Sequence, residues 1–318
     1  MAIILAMKSL TKSISTLRKI NKPADYNFTP IISMGDSIPK VVHLTYHRKT
    51  LPPEIQTNLD QLKVTNPDWE FRLYDDADIE QYIQNHFPHL LKYYHKINPV
   101  YGAAKADFFR YLLIYNEGGV YLDIKSSATK PFSEIIQPDD CFVLSYWPNQ
   151  PGSPYEGAGI SADVEDPLGE FEQWYIISVK GHPFLKAVIE NVCHNITTYN
   201  PFIHHTARWG VFTVTGPIAY SLAITSVLDA HPHRLERSHY DLGLIYSIFS
   251  KDQVPRHHGL FKKHYSFINA PVVIQPFYIN LILKLILPVR NICVDIINKL
   301  RKKQTFKLKK EHIPTNHQ

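Results

Sequence analysis

Two short segments of the chain hold acidic and basic side chains beside apolar ones. Asp107 and Arg110 lie in an alanine-rich, apolar stretch that ends near Ile114. Asp123 and Lys125 follow a short run of β-branched and aromatic residues. If that run is a strand of an open α/β sheet, Asp123 lies at its C-terminal end, where such sheets bind ligands. These four side chains are therefore the first candidates for a ligand site.

The two elements that would position them can be predicted from local patterns. The apolar stretch predicts a helix that ends at Gly118 and Gly119, because glycine tolerates a left-handed stop. The helical period places Asp107, Arg110 and Tyr111 on one face.

Residues 120–124 are too short, too β-branched and too aromatic for a new helix and predict a strand. A period of two would point Asp123 and Lys125 to the same side, opposite Leu122 and Ile124. Strand and helix patterns alternate along the chain, which predicts an α/β fold.

This helix with Asp and Arg, followed by Gly-Gly-aliphatic-Tyr-aliphatic-Asp, resembles glycosyltransferase family 32, whose sugar-binding region contains a DXD motif. Further segments follow in the family's order over residues 36–270. They are residues 38–46, 66–76, 181–184, 215–217 and 257–258. The resemblance implies a single GT-A-like domain that binds a nucleotide sugar, and transfer of a hexose to a saccharide or lipid-linked acceptor with retention of configuration.

The resemblance also implies roles for individual residues. Thr45 and Tyr46 would lie near the nucleotide base, and Asp107 with Arg110 would reach the ribose or phosphates. Asp123 would anchor the donor, and Gly216 would turn the chain beside the sugar. Structural alternatives stand beside these roles, since Asp107 could simply pair with Arg110 and the turn at Gly216 could simply begin a helix.

Lys125 departs from the family pattern, which has a second Asp at this position. In the family the two carboxylates hold Mn²⁺ or Mg²⁺ against the diphosphate, and a lysine cannot ligate a cation. Its ammonium could bind the diphosphate itself, since unit charges ~4 Å apart attract by about 4 kcal/mol at a dielectric of ~20. Alternatively, Asp123 holds a metal with His257 or His258, or turnover has been lost. His258 could also donate a proton to the leaving phosphate.

Other side chains could contact a saccharide, although core packing or a solvated loop is the simpler interpretation. The aromatic candidates are Trp147, Tyr155, Trp174 and Trp209, and the acidic ones are Asp163, Glu165 and Asp166.

Composition limits the classes of protein that remain. A chain of 318 residues with 44% hydrophobic residues can bury a full core. Its three cysteines are widely spaced and match neither a disulfide framework nor a zinc site, which favours a reducing compartment. No nucleophile elbow, phosphate loop, dinucleotide fingerprint or HExxH motif occurs in the sequence.

The extent of the resemblance and the distribution of charge divide the chain into three parts: a basic segment at 1–35, the α/β domain at 36–270 and a C-terminal part at 271–318. Residues 1–22 hold five Lys/Arg and no acid, and residues 271–318 hold nine Lys/Arg and two acids, although the whole chain carries only +5. The middle is therefore acidic, which argues against nucleic acid as a partner. An amphipathic helix and basic tail at 271–318 predict binding to an anionic membrane surface, or else packing on the domain. With no secretory signal recognised, we expect a cytoplasmic, peripheral membrane protein.

Two functions of other classes remain open. One is a catalytically inactive, membrane-associated protein that binds a nucleotide sugar or glycan, which Lys125 would explain. The other is a peripheral scaffold whose domain is inert.

Overall fold

The computed structural model describes residues 27–201, 203–249, 268 and 270–277. The strands are β1 (Val41–Thr45), β2 (Glu70–Tyr74), β3 (Gly119–Leu122), β4 (Ser127–Ala128), β5 (Phe142–Ser145), β6 (Tyr175–Ser178), β7 (Arg234–Glu236) and β8 (Leu244–Ile245). The α-helices are α1 (Pro53–Thr65), α2 (Asp76–His86), α3 (Leu91–Lys96), α4 (Gly102–Glu117), α5 (Phe132–Ile135), α6 (Pro183–Thr197), α7 (Ala207–Val214) and α8 (Pro217–Thr225). Short 3₁₀ turns span Pro88–Leu90 and Leu228–Ala230.

Six of these strands form one mixed sheet in the order β2-β1-β3-β6-β5-β7. β1 is parallel to β2 and β3, whereas β6 is antiparallel to both β3 and β5. The C-terminal ends of β1 and β3 therefore meet the N-terminal end of β6 at one edge. β4 and β8 form a separate two-stranded sheet just beyond that edge.

Both faces of the central sheet are covered by side chains. Because successive strand residues point to opposite faces, Tyr121 and Ile176 face the core formed with α4, α6 and α8. Val120, Leu122 and Ile177 face a second core, formed with α1 and α5. The residues of α4 from Phe108 to Ile114 are buried along nearly its whole circumference, as expected for a helix in the middle of a domain.

Two glycines make the sharp connection from α4 to β3. Gly118 has φ +72° and ψ −164°, a conformation found almost only in glycine, and its N–H donates to Ile114 at 2.9 Å. A Cβ at Gly118 would lie 2.6 Å from the backbone nitrogen of Lys180, and one at Gly119 would lie 2.7 Å from the carbonyl oxygen of Val41. The helix can therefore enter the central strand directly only because both side chains are absent.

The structure confirms the α/β class, with helices on both faces of the sheet. The predicted double-glycine stop is confirmed, and the helix extends to Glu117. The predicted strand at 120–124 is displaced, because β3 begins at Gly119 and ends at Leu122.

The chain divides into two compact units, one that ends at Val273 and one that begins at Ile274. Residues 28–35 belong to the first unit by contact: Thr29 N–H donates to Glu190 at 2.8 Å and Gly35 N–H to Lys180 at 2.9 Å. The basic N-terminal segment up to residue 26 and most of the predicted C-terminal amphipathic helix and tail lie outside the described residues. In the part that is described, no helix has both the length and the apolar character needed to cross a membrane.

Candidate functional site

Arg110 is the centre of a buried polar cluster between α4 and the sheet edge. Nη2 lies 3.2 Å from Asp107 Oδ1 and 3.2 Å from Asp123 Oδ1. Nη1 donates to the Gln173 carbonyl at 2.7 Å and to its side-chain oxygen at 3.2 Å, and Nε contacts the Ala106 carbonyl at 3.4 Å. These contacts match the five N–H donors of a guanidinium. The Arg110 side chain, 6% exposed, therefore holds neighbouring groups in place.

Asp107 is fixed from several sides. Thr215 Oγ1 donates to Oδ2 at 3.0 Å and Gln173 Nε2 donates to Oδ1 at 3.3 Å, in addition to the Arg110 contact. Burial raises the pKa of the Asp107 carboxyl to about 6, against the opposing effects of the Arg110 charge and these hydrogen bonds. The predicted i, i+3 pair with Arg110 is confirmed, and the pair also has the further partners that a buried ion pair requires.

Asp123 lies where the buried cluster reaches the surface. Its side chain is 24% exposed, whereas those of Asp107 and Arg110 are almost fully covered. The Tyr121 hydroxyl lies 3.4 Å from Oδ1, and the guanidinium of Arg110 lies 4.5 Å from the centre of the Tyr121 ring. Asp123 is therefore the more accessible carboxylate of this cluster.

Thr45 joins the same cluster, whereas Tyr46 does not. Thr45 is the last residue of β1, and its Oγ1 lies 2.8 Å from the Tyr121 hydroxyl. Tyr46 is buried beside His47, with ring centres 4.2 Å apart. The donor contacts predicted for Thr45, Tyr46, Asp107 and Arg110 stay predictions, but Thr45, Asp107 and Arg110 do meet Asp123 at one sheet edge.

Lys125 and Asp123 have different immediate partners, and the sequence-based expectation that a strand aligns the two is wrong. The strand ends before Asp123, and the Ser126 N–H donates to the Asp123 carbonyl at 2.8 Å, closing a turn in which the strand period no longer applies. Lys125 Nζ instead donates to the Tyr246 hydroxyl at 2.8 Å and lies 4.0 Å from the centre of that ring.

Backbone contacts bring Tyr246 to this position. Ser127 pairs with Ile245 in the small sheet, the Ile248 N–H donates to the Lys125 carbonyl at 2.9 Å, and Ser126 Oγ donates to the Tyr246 carbonyl at 2.7 Å. Lys125 therefore contacts a segment that is distant in sequence.

The segment from Thr215 to Pro217 forms the junction of α7 and α8. Pro217 begins α8, as predicted, and the Thr215 carbonyl accepts a hydrogen bond from the Tyr111 hydroxyl at 2.8 Å. A Cβ on Gly216 would lie 3.0 Å from the Val211 carbonyl oxygen, so glycine permits the tight junction. Thr215 thus links this turn to Asp107, while Gly216 serves the packing of the turn itself.

The described donor groups do not fit a divalent cation. Asp123 offers one carboxylate, already paired with Arg110, and the residue at the second motif position is Lys125. Mn²⁺ and Mg²⁺ bind through several oxygen ligands. Across residues 27–249 and the short described segments after them, no three His, Cys, Asp or Glu side chains are grouped to hold a metal. His257 and His258, predicted as a metal ligand and a proton donor, lie outside the described residues.

Three of the four aromatic candidates lie together. The rings of Trp147 and Tyr155 are 5.3 Å apart, and Trp147 and Trp174 lie 4.9 and 5.5 Å from Tyr246. Trp209 lies elsewhere, on α7, and is 51% exposed. Of the acids, Asp166 accepts a hydrogen bond from the Tyr146 hydroxyl at 2.6 Å, a contact that secures the loop.

Gln173 and Tyr246 are part of the site and were missed by the sequence-based prediction. Gln173 contacts Asp107, Arg110 and Tyr111, where the Tyr111 hydroxyl donates to its side-chain oxygen at 3.0 Å. A polar residue just before the short apolar run at 175–178 is a signal that could have suggested it. Tyr246 has no such local signal, because its position depends on the pairing of β4 with β8.

Comparison with known proteins finds similar sequences and a similar structure. Residues 52–142 match the family model described as the glycosyltransferase sugar-binding region containing a DXD motif. Inositol phosphoceramide mannosyltransferase 3 of Schizosaccharomyces pombe is 26% identical over 70% of this chain and 58% of the relative. The initiation-specific alpha-1,6-mannosyltransferase of Candida albicans is 33% identical over 40% of this chain and 34% of the relative. A solved structure titled PaToxG Glycosyltransferase aligns over 80% of this chain with 16% identity and a TM-score of 0.42.

The chain spans about half the length of the relatives it matches, for example 51% of inositol phosphoceramide mannosyltransferase 1 of S. pombe. The matched region contains Asp107, Arg110, Asp123 and Lys125, and so covers the charged residues of the candidate site and the motif position. The resemblance to DXD-type glycosyltransferases of family 32 is thereby confirmed.

Proposed function

For a chain that carries the DXD-type glycosyltransferase region, we propose transfer of a hexose from a nucleotide sugar to a saccharide or lipid-linked acceptor. The observation that carries the proposal is the clamp of Arg110 on Asp123 at the edge of the sheet. The mannosyltransferases among the relatives make mannose the first donor sugar to test. The family resemblance supports retention of the anomeric configuration.

In this proposal Asp123 contacts the donor and the buried residues position it. Arg110 holds the Asp123 carboxylate from one side, and Asp107 keeps the guanidinium in place. The Asp123 carboxylate contacts Arg110 on α4 and Tyr121 on β3. Because both side chains are buried, the carboxylate keeps its orientation before a ligand arrives. Such preorganised charge is what stabilises a transition state most effectively.

Lys125 supplies positive charge where the family has a second carboxylate and its metal. One of its three N–H donors binds Tyr246, and in the described part of the chain the other two remain for a ligand. The Tyr246 ring stabilises the ammonium by about 0.5 to 2 kcal/mol. The lysine would offset the charge that grows on the leaving diphosphate, a role that needs no bound metal. Metal bound through Asp123 and a histidine is the competing explanation.

The decisive experiment measures hydrolysis of and transfer from GDP-mannose, UDP-glucose and UDP-galactose by the purified chain. Each reaction is run with Mn²⁺, with Mg²⁺ and with chelator, for the wild type and for Lys125→Ala and Lys125→Asp. Lys63→Ala, an exposed lysine on α1, is the matched control. We expect turnover to survive chelation, to fall at least 50-fold in Lys125→Ala, and to become metal-dependent in Lys125→Asp.

Other outcomes identify the alternatives. If wild-type turnover requires Mn²⁺, a metal ion acts in the site and Lys125 has only a structural role. If the chain binds nucleotide but turns over no donor, the enzyme hypothesis is rejected. The chain would then be a binding protein, the alternative suggested by Lys125 at the second motif position.

We also propose that the chain acts at an anionic membrane surface, so that a lipid-linked acceptor meets the site there. The uneven charge of the sequence, with both terminal parts basic, supports this proposal. Sedimentation with phosphatidylcholine vesicles, with and without 30% phosphatidylserine, tests it. Equal sedimentation with both vesicle types would contradict it.

A further inference from the structure

A histidine and a glutamate form a buried pair close to, but separate from, the cluster at Arg110. His239 Nδ1 lies 2.7 Å from Glu172 Oε1, and both side chains are fully buried. Glu172 also accepts hydrogen bonds from the Trp174 indole at 3.1 Å and from Ser145 Oγ at 2.6 Å. With the Glu172 carboxylate at Nδ1, that nitrogen carries a proton, and in the neutral form of the ring Nε2 is then an acceptor.

That acceptor is not used within the described part of the chain. Nε2 of His239 is buried, and no hydrogen-bond donor lies within reach of it among the described residues. A buried polar atom without a hydrogen-bond partner destabilises the fold. An imidazole held firmly by Glu172, with its second nitrogen unpaired, is therefore arranged for a donor that comes from a ligand.

Aromatic side chains surround this acceptor. The His239 ring centre lies 6.1 Å from that of Trp147, 5.5 Å from that of Tyr155 and 5.4 Å from that of Trp174. The Tyr240 ring is 4.3 Å away. Trp147 and Tyr155 are partly exposed and Tyr240 is 51% exposed, so the aromatic cluster beside His239 reaches the surface.

The chain holds the aromatic side chains in place. The loop that carries Trp147 and Tyr155 is closed at its base by the pairing of Tyr146 with Phe171. A Cβ on Gly159 would lie 2.6 Å from Cδ1 of Trp147, so the loop backbone packs directly on the indole. Asn149 Nδ2 crosses the loop and donates to the Leu168 carbonyl at 2.9 Å.

The aromatic cluster around His239 adjoins the proposed donor site at two points. The Asp123 N–H donates to the Trp174 carbonyl at 2.9 Å. Tyr246, which holds Lys125, packs edge-on against Trp147 at 4.9 Å. A ring bound among these aromatic side chains would therefore lie next to a donor held by Asp123 and Lys125.

We propose that His239, Trp147 and Tyr155 form a subsite for a saccharide ring of the acceptor. A sugar ring offers apolar C–H faces to the aromatic side chains and hydroxyl donors to His239 Nε2, the combination found in sites that orient small polar ligands. Because the His239 side chain is fully buried, binding would require Tyr155 or Tyr240 to rotate away from it. This subsite deepens the proposed function and rests on it, since it names the acceptor's chemical class.

Two substitutions of His239 separate the subsite from core packing. His239→Asn retains a donor to Glu172 at the position of Nδ1 and removes Nε2, whereas His239→Gln retains a polar atom at the position of Nε2. Trp147→Ala and Tyr155→Ala test the aromatic part, and Trp209→Ala removes an exposed tryptophan outside the cluster. Binding of methyl α-D-mannopyranoside and methyl α-D-glucopyranoside is measured by saturation-transfer NMR, and binding of GDP and UDP by calorimetry.

We expect the wild type to bind one of the two glycosides, and binding to weaken at least tenfold in His239→Asn, Trp147→Ala and Tyr155→Ala. His239→Gln should weaken it less than His239→Asn, and Trp209→Ala should leave it unchanged. Nucleotide binding should stay within twofold in all five variants.

No glycoside binding by the wild type, or equal binding by the wild type and the two alanine variants in the cluster, would overturn the subsite. If the glycoside results hold while no nucleotide sugar is bound or turned over, the subsite stands and the proposed transferase function fails.

Discussion

Arg110 and Asp123 contact each other across the junction of a helix and a strand, with 3.2 Å between Nη2 and Oδ1. Thirteen positions separate them in sequence, and the sharp Gly118-Gly119 connection brings them together. Burial disfavours the charge of Arg110, but the neighbouring oxygens of Tyr121, Asp123 and Asp107 raise its pKa above the ordinary value. The guanidinium is thus a permanent charge that fixes the most accessible carboxylate of the site.

Replacement of this arginine should damage both activity and stability. Arg110→Met leaves Asp107 buried without its cation, and breaking such a buried pair from one side costs about 3 to 5 kcal/mol. Without the clamp we expect turnover of the nucleotide sugar to fall at least 100-fold. Urea unfolding and initial rates measure the two effects.

Arg72→Met is the matched control, because Arg72 pairs with Glu70 and Glu117 near the surface and its side chain is 39% exposed. Exposed pairs contribute only about 0 to 1 kcal/mol. If Arg110→Met destabilises the protein no more than Arg72→Met does, the buried cluster is not the structural centre inferred here.

The Tyr246 hydroxyl should affect turnover more than folding. Tyr246→Phe keeps the ring under the Lys125 ammonium and removes the 2.8 Å hydrogen bond, an interaction worth about 1 kcal/mol. We expect kcat to fall roughly fivefold, since 1.36 kcal/mol is tenfold, and the thermal midpoint to change little. Tyr246→Leu removes the ring as well and should lower kcat further. Equal kcat values for the two variants would show that the ring does not hold the lysine.

Three glycines allow backbone strain and steric collision to be measured separately. Gly118→Ala meets both a positive φ and an atom 2.6 Å from the new Cβ, so we expect a loss of at least 3 kcal/mol. At Gly152 φ is +83° and no atom lies within 4 Å of the added Cβ, so Gly152→Ala should lower the unfolding free energy by about 1 kcal/mol. Gly102→Ala has neither problem and should stabilise the chain by about 0.4 to 1 kcal/mol. A different order of the three unfolding free energies would contradict this account of the α4 to β3 junction.

His182 should make the fold sensitive to mild acid. Burial lowers the pKa of His182 to about 4, with His231 and His233 adding to the effect and a hydrogen bond to the Pro232 carbonyl opposing it. In the folded protein Nδ1 accepts the Phe184 N–H at 3.2 Å and so caps α6. Because the unfolded chain takes up the proton near pH 6.5, this stability is present above pH 6.5 and is lost as pH falls toward 4, by up to about 3 kcal/mol.

His182→Asn tests that effect, since asparagine also caps helices but does not titrate. We expect a smaller loss of unfolding free energy between pH 7 and pH 4.5 in the variant than in the wild type. His43, whose pKa burial likewise lowers to about 4, is retained and accounts for part of the remaining slope. Parallel stability curves for the two proteins would mean that His182 is protonated without cost in the folded state.

Local patterns in the sequence were sufficient for the helix, its glycine stop and the ion pair of Asp107 with Arg110. Each depends on residues fewer than about five positions apart, where backbone geometry alone decides what is adjacent. The alternation of strand and helix patterns added the α/β fold class, and the short strand pattern placed Asp123 at the sheet edge.

The remaining contacts of the site depend on pairings that no local pattern contains. The partner of Lys125 is 121 positions away, and Thr215 is 108 positions from the Asp107 carboxylate that it binds. The strand that was expected to align Asp123 with Lys125 ends two residues early, because Asp123 begins a turn. Sequence spacing could therefore identify the charged residues but not the groups that hold them.

The pairing of Ser127–Ala128 with Leu244–Ile245 also has a consequence for the order of folding. Contacts at such separation close slowly, because the loop entropy is lost before the pairing stabilises the chain. Arg110 and Asp123 both leave the ribosome before Tyr246, so their contact can form before Lys125 meets its partner. The ability to hold a carboxylate in place therefore arises well before the cation is positioned.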